Sequence, residues 1–316
     1  MKLPNILPWF IVLMSVLTTS CRKDASYVSL PEFKQKLVVN AFLSPDQALN
    51  EIYISSTKRR FGELYAMEPV GNLNVFLSDG TDEVKLDTTQ NDVTVPYIIR
   101  YNFIVKNMPI TAGKTYYLKV ISNKGLTAET SCTIPVKRDF KIEVDTNSVK
   151  SVDEVGRNIS TLYANLSITD FPGETNFYRL LYIYQDYRIH HGSFKSFSLK
   201  SYLMAEVPVT HVYQQWEGDI MYNDNGRDGK KFVIRSIEFP SVNYTDPNPY
   251  FITDSAFLRI YLLNTDKPYN DFHQSLLNYS LGDAPFTEPS FLYSNVKDGV
   301  GIFAAYTVDS VIFRLK

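Results

Sequence analysis

The sequence predicts an all-β protein: an N-terminal immunoglobulin-like β-sandwich followed by a second β-rich domain with one short helical insertion. Aromatic residues make up 14% of the 316 positions, dominated by 22 Tyr and 20 Phe, and flat rings pack best against cross-strand neighbours on a pleated surface. Short alternating apolar stretches recur between turn residues from Leu37 onward, and a helical period is found in a single stretch near the end. The length allows about two domains, each able to bury its own core.

Residues 1–20 read as a signal peptide. Lys2 gives a positive start, "WFIVLMSVL" from Trp9 to Leu17 gives a short apolar core, and Thr18, Thr19 and Ser20 are small enough for a signal peptidase. A bilayer-spanning helix needs about 20 apolar residues, which this run does not supply. Cys21 follows directly, and its placement resembles a bacterial lipobox, in which the thiol receives diacylglycerol and the cut falls just before it. The usual Leu three residues upstream is replaced by Thr18, with Leu17 one step further out. An ordinary secretory signal with a coincidental cysteine is the alternative. In the lipobox reading residues 21–36 are a lipidated N-terminus and polar tether, and the acyl chains at Cys21 hold the protein on a membrane.

Residues 37–137 read as the sandwich. "LVVNAFL" stops at Ser44, Pro45 and Asp46, "EIYISS" alternates through Ile52 and Ile54, and "LNVFLS" leads into the turn "SDGT". The strands "EVKLDT", "YIIRYNFIV", "TYYLKVIS" and "TAETSCTI" follow, with Gly113 and Gly125 in the turns before the last two. Cys132, in the last of these, reads as a small buried hydrophobe. Pro135 and "VKRD" place a boundary near Lys137. Residues 138–316 continue in strands: "FKIEVD", "LYANLSIT", "FYRLLYIY", "KKFVIRSIEF" and "AFLRIYLLN". In "DKPYNDFHQSLLNYSLG" a helical stripe carries Tyr269, Phe272, His273, Leu276, Leu277 and Ser280, with Asp266 as cap, Pro268 in the first turn and Gly282 as stop.

A net charge of −2, with 21% charged residues, leaves no broad basic field for nucleic acid. His190 and His191 are neighbours on a strand and point to opposite faces, so they do not chelate one ion together. His273 on the apolar stripe reads as a satisfied ring. There is no HExxH, CxxC, phosphate loop, dinucleotide fingerprint or nucleophile elbow; the expectation is a non-enzyme without metal or cofactor. Asp170 and Glu174 sit in the turn "TDFPGET", and a hydrolase with dispersed carboxylates stays open as a third reading. "EGDIMYNDNGRDGKK" gathers Asp219, Asn223, Asp224, Asn225 and Asp228. Such oxygens suit calcium, but the closing Glu of an EF-hand is missing, and a hairpin turn explains the same residues.

"LVVNAFLSPDQ", "GKTYYLKV", "NFYRL", "YNDNGRDGKKF" and above all "EPSFLYSNVKDGVGIFAAY", from Glu288 to Tyr306, resemble the Bacteroidota lipoproteins of domain of unknown function 4249. The similarity runs from Leu37 to Tyr306. It implies outer-membrane residence, frequent company with TonB-dependent transporters, and no established catalytic residue. In the terminal segment Asp298 and Gly299 suit a tight turn and Gly301 a close backbone approach. That segment reads either as a hairpin closing the second sheet or as a partner or ligand loop through Tyr293, Asn295, Asp298, Gly299 and Gly301. The function expected is a lipid-anchored outer-membrane accessory protein acting with a TonB-dependent transporter in nutrient capture or uptake. The alternative is a free-standing surface adhesion or glycan-binding module. Only Asp24 adds acidity after Cys21, beside Arg22 and Lys23, so the periplasmic or cell-surface face stays open.

Overall fold

The computed structural model describes residues 33–58, 69–95, 98–152, 158–190, 195–200, 220–224, 228–239, 251–281 and 291–314. The signal peptide, Cys21, most of the tether, His191, His211, Asp219, Asn225 and Gly282 lie outside the described residues.

The protein is all-β with a single helix among the described residues. In chain order come β1 (Leu37–Leu43), β2 (Asn50–Ser56), β3 (Leu73–Ser78), β4 (Glu83–Lys85), β5 (Asp87–Val95), β6 (Ile98–Val105), β7 (Thr115–Ser122) and β8 (Thr127–Thr133). They are followed by β9 (Ile142–Val152), β10 (Asn158–Thr169), β11 (Phe177–His190), β12 (Lys195–Lys200), β13 (Ile220–Asn223), β14 (Lys231–Phe239), β15 (Phe251–Thr265), α1 (Lys267–Leu281) and β16 (Val300–Arg314).

A large mixed sheet runs β12-β11-β15-β16-β1-β2-β6-β5, with β13 also on β11; β4-β3-β7-β8 and β14-β10-β9 form two smaller sheets. Among the described residues all strand pairs are antiparallel except β1 with β16, which run parallel from Val38↔Val300 to Leu43↔Ala305. The start of the last strand therefore lies beside the first strand, and hydrogen bonds join the two sides of Lys137 within one unit, Gln35–Lys316. The segment after β8 is fastened to the last strand as well: the N–H of Phe140 donates to Asp309 Oδ2 (3.0 Å).

Alternation explains the first sandwich. β1 and β2 bury every second residue, so Val39, Ala41, Leu43, Ile52 and Ile54 face Val75, Leu77, Leu118 and Val120 of the smaller sheet in one core. Cys132 belongs to this core at 3% exposure, and burial holds its thiol well above the ordinary range. Tyr116 is fully buried yet satisfied: its hydroxyl donates to Pro109 O (2.8 Å) and accepts the N–H of Thr111 (2.8 Å).

The first half of β16 does not alternate. Ile302 to Thr307 are all buried, because one face of the strand meets the sandwich core while the other meets α1. Phe303 and Ala305 lie in the first cluster; Ile302, Ala304 and Tyr306 pack with Tyr269 and Phe272 of α1 in a second. The helix forms where its stripe and cap require: Asp266 Oδ1 accepts the N–H of Tyr269 at 2.9 Å.

Candidate functional site

Tyr293, Asn295, Asp298, Gly299 and Gly301 converge on the approach to β16. The N–H of Tyr293 donates to Ser275 Oγ in α1 (2.8 Å), and its ring packs on the aromatic cluster under the helix. Asn295 reaches inward, accepting the N–H of Phe303 at 3.0 Å and donating to Phe303 O at 2.7 Å and to Ser131 O at 3.3 Å. Its own carbonyl accepts the hydroxyl of Thr130 (3.0 Å). Glu129 and Lys297 exchange backbone hydrogen bonds of 3.1 and 2.8 Å, which stitches the loop to the edge of β8. Gly299 is buried against Leu37 O, and Gly301 adopts φ of 113° over the backbone of Val39. Asp298, at φ of 58°, is exposed. The segment is thus not a hairpin: it crosses from the small sheet's edge to a parallel strand of the large sheet, and four of the five residues face protein.

A second convergence joins two turns that the sequence presents separately. Asp170, Asp224 and Asp228 each offer a carboxylate oxygen, and these oxygens lie within 4.8 Å of one another. Hard oxygen donors of this kind are calcium chemistry, in which six to eight oxygens are needed. Here the carboxylates already accept protein hydrogen bonds. Asp170 accepts Tyr178 Oη–H (2.5 Å) and the N–H of Gly229 (2.9 Å), Asp224 accepts the N–H of Asn176 (2.9 Å), and Asp228 accepts the N–H of Gly173 (2.8 Å). The arrangement is a knot tying the 170–176 turn to Asp224, Asp228 and Gly229. Burial, aided by Asp170, pushes the Tyr178 hydroxyl far above its ordinary range, so it stays a donor. Asp170→Ala strips acceptors from a buried hydroxyl and a backbone N–H and is expected to lower stability by about 2–4 kcal/mol. Urea denaturation measures it; a midpoint unchanged from the parent would show that the knot carries no load.

A third cluster gathers around α1 and β11. Arg179, 5% exposed, donates to Tyr269 Oη (2.5 Å) and is 2.9 Å from His273 Nε2. Since a guanidinium only donates, Nε2 accepts and His273 carries its proton on Nδ1, which donates to Tyr269 O at 2.9 Å. Burial, then the neighbouring guanidinium, hold this imidazole down at about 3. His273 is the satisfied ring that its place on the stripe predicts.

Residues 25–312 match the family described as Domain of unknown function (DUF4249). The chain belongs to the DUF4249 family. No functionally curated protein matches it. Two solved structures that align with it are a B domain of a biofilm associated protein and a BSP domain of a biofilm associated protein. The first has 9% identity, covers 87% of this chain and 85% of its own, and has a TM-score of 0.18. The second has 10% identity, covers 87% of this chain and 58% of its own, and also has a TM-score of 0.18. Scores this low carry no argument about this DUF4249 chain. No helix among the described residues is long and apolar enough to cross a membrane.

Arg179 had a signal in this DUF4249 sequence: a single cation inside the aromatic run "FYRLLYIY". What it signalled was burial on both faces of β11, where Tyr178, Arg179 and Leu180 are all buried in succession.

Proposed function

We propose that this DUF4249 chain is a lipid-anchored, non-catalytic accessory protein of the bacterial outer membrane that works beside a TonB-dependent transporter in capturing or admitting a nutrient. The observation that carries the reading is the N-terminus: a short apolar core, three small residues, then Cys21, all ahead of the family-matched region. Two or three acyl chains, at about 0.8 kcal/mol per buried methylene, hold a folded body at a membrane durably. The body suits presentation of a partner surface, since a sheet whose two halves are joined through the central strand β16 is a rigid support for the loops that bind.

Cys21→Ser is expected to move the chain from the membrane fraction to the soluble fraction and to end co-purification of a transporter barrel from native membranes in mild detergent. Mass spectrometry of the native N-terminus checks the anchor directly, and an N-terminus bearing no acyl groups would sink the proposal. An acylated chain recovered repeatedly without a barrel, with glycan or surface binding intact in a transporter-deleted strain, would favour the adhesion module.

A further inference from the structure

Asp266 sits where β15 hands over to α1. One carboxylate oxygen caps the helix through Tyr269 N–H, and the residue's own N–H donates to Ala305 O of β16 at 2.9 Å. The other oxygen, Oδ2, is enclosed by protein and receives no hydrogen bond. From β8 it is faced by Cys132, whose buried thiol stays neutral, and by the backbone of Thr133; from α1 by Asp271; and from the approach to β16 by Tyr293. β16 contributes only backbone there. Lys267, next along the chain, is paired with Asp271, and Arg179 is engaged with Tyr269 and His273.

A carboxylate with one enclosed oxygen that no donor meets in hydrogen-bond geometry is a costly group to keep ionised, because it gives up water there. The cap, the helix N-terminus and the nearby backbone of Thr133 and Ala305 favour the charge; enclosure opposes it. We propose that Asp266 is a proton-linked latch: the neutral acid keeps the helix cap and the backbone bond to β16 without burying a charge, whereas ionisation puts a charge on the enclosed Oδ2 and loosens the junction of α1 with β8 and β16, so helix docking follows the acidity of the surroundings. Burial outweighing the backbone donors, which lifts the carboxyl to about 7, agrees with this balance.

The folded state holds the Asp266 proton more tightly than the unfolded chain, so the stability it contributes is complete below the ordinary value of 3.8 and is lost progressively as pH rises to about 7. His273 acts oppositely: the unfolded chain takes its proton first, and stability falls as pH drops from 6.5 toward 3. The two offset each other over much of the acidic range, so a melting curve of the native chain alone conceals both.

Comparison with Asp266→Asn isolates the latch, because His273 is common to both proteins. Denaturant unfolding of the full chain and the variant, from about pH 4 to about pH 8, should show the variant gaining on the parent by about tenfold or more in folding constant, since tenfold corresponds to one pKa unit. A smaller change overturns the proposal. Where Asp266→Asn does not fold, carbon-13 titration of the Asp266 carboxyl in the native chain decides. A midpoint near neutrality supports the latch, and one in the ordinary carboxylate range overturns it.

Discussion

Gly301→Ala is expected to leave little folded protein. A Cβ at this position would stand 2.0 Å from Val39 O and 3.0 Å from the Val39 carbonyl carbon and nitrogen, all of them backbone that no rotamer change can move. The φ of 113° adds strain for any L side chain. Relief requires separating β1 from β16 at Val39↔Gly301, inside the parallel pairing that joins the two halves of the large sheet. The loss should exceed about 4 kcal/mol, against a total of about 5–15 for an ordinary domain. Gly125→Ala is the control, since φ is again positive (82°) but nothing lies within 4 Å of the added atom; it should cost about 1–2 kcal/mol. Soluble yield and near-ultraviolet circular dichroism measure both. A Gly301→Ala protein melting within a few degrees of the parent would refute the β1–β16 contact.

The reach of the sequence can be traced residue by residue. "LVVNAFL" and "TYYLKVIS" declare themselves as strands because each buries one face and keeps period two. α1 is equally legible, since its cap, its Pro and its stripe lie within a few residues of one another. "GIFAAY" reads as a strand but hides its neighbours: a parallel pairing between residues 38 and 300 leaves no local mark, and burial on both faces erases the alternation that would have shown orientation. The same limit governs the acidic knot. Asp170 and Asp224 are each visible in their own turn, yet their meeting is set by the pairing of β13 with β11 and of β14 with β10. "EVKLDT" contains a break that periodicity does not reveal, for Leu86 is buried and its N–H donates to Val75 O (2.8 Å) between β4 and β5.

The terminal segment shows how residues suited to a loop can be needed for structure. β15 pairs with β16 only from Thr265↔Tyr306 onward, so the stretch from Gly301 to Ala305 has β1 on one edge and no strand on the other. Its outward backbone groups are met one by one from elsewhere. The N–H of Gly301 donates to Ser294 Oγ (3.0 Å), both groups of Phe303 bond the Asn295 amide, and Ala305 O accepts from Asp266 N–H. Asn295 thus stands in for a neighbouring strand, since an amide side chain carries a donor and an acceptor like a peptide group.

Asn295→Ala should therefore leave a buried N–H and C=O unpaired, at a cost of about 2–5 kcal/mol. Asn295→Asp is the sharper test. It keeps shape and one acceptor, but it sets a carboxylate oxygen against Phe303 O where a donor stood, so it should destabilise at least as much as alanine does. A surface binding loop would respond in the reverse way, with both changes silent in thermal unfolding and visible only in ligand or partner capture. Asp298, exposed at φ of 58°, supplies the comparison within the same turn: Asp298→Asn retains a residue that tolerates left-handed backbone and should leave the melting temperature within about 1–2 °C of the parent. If Asn295→Asp proves as mild as Asp298→Asn, the clamp is wrong and the segment's side chains serve something outside the fold.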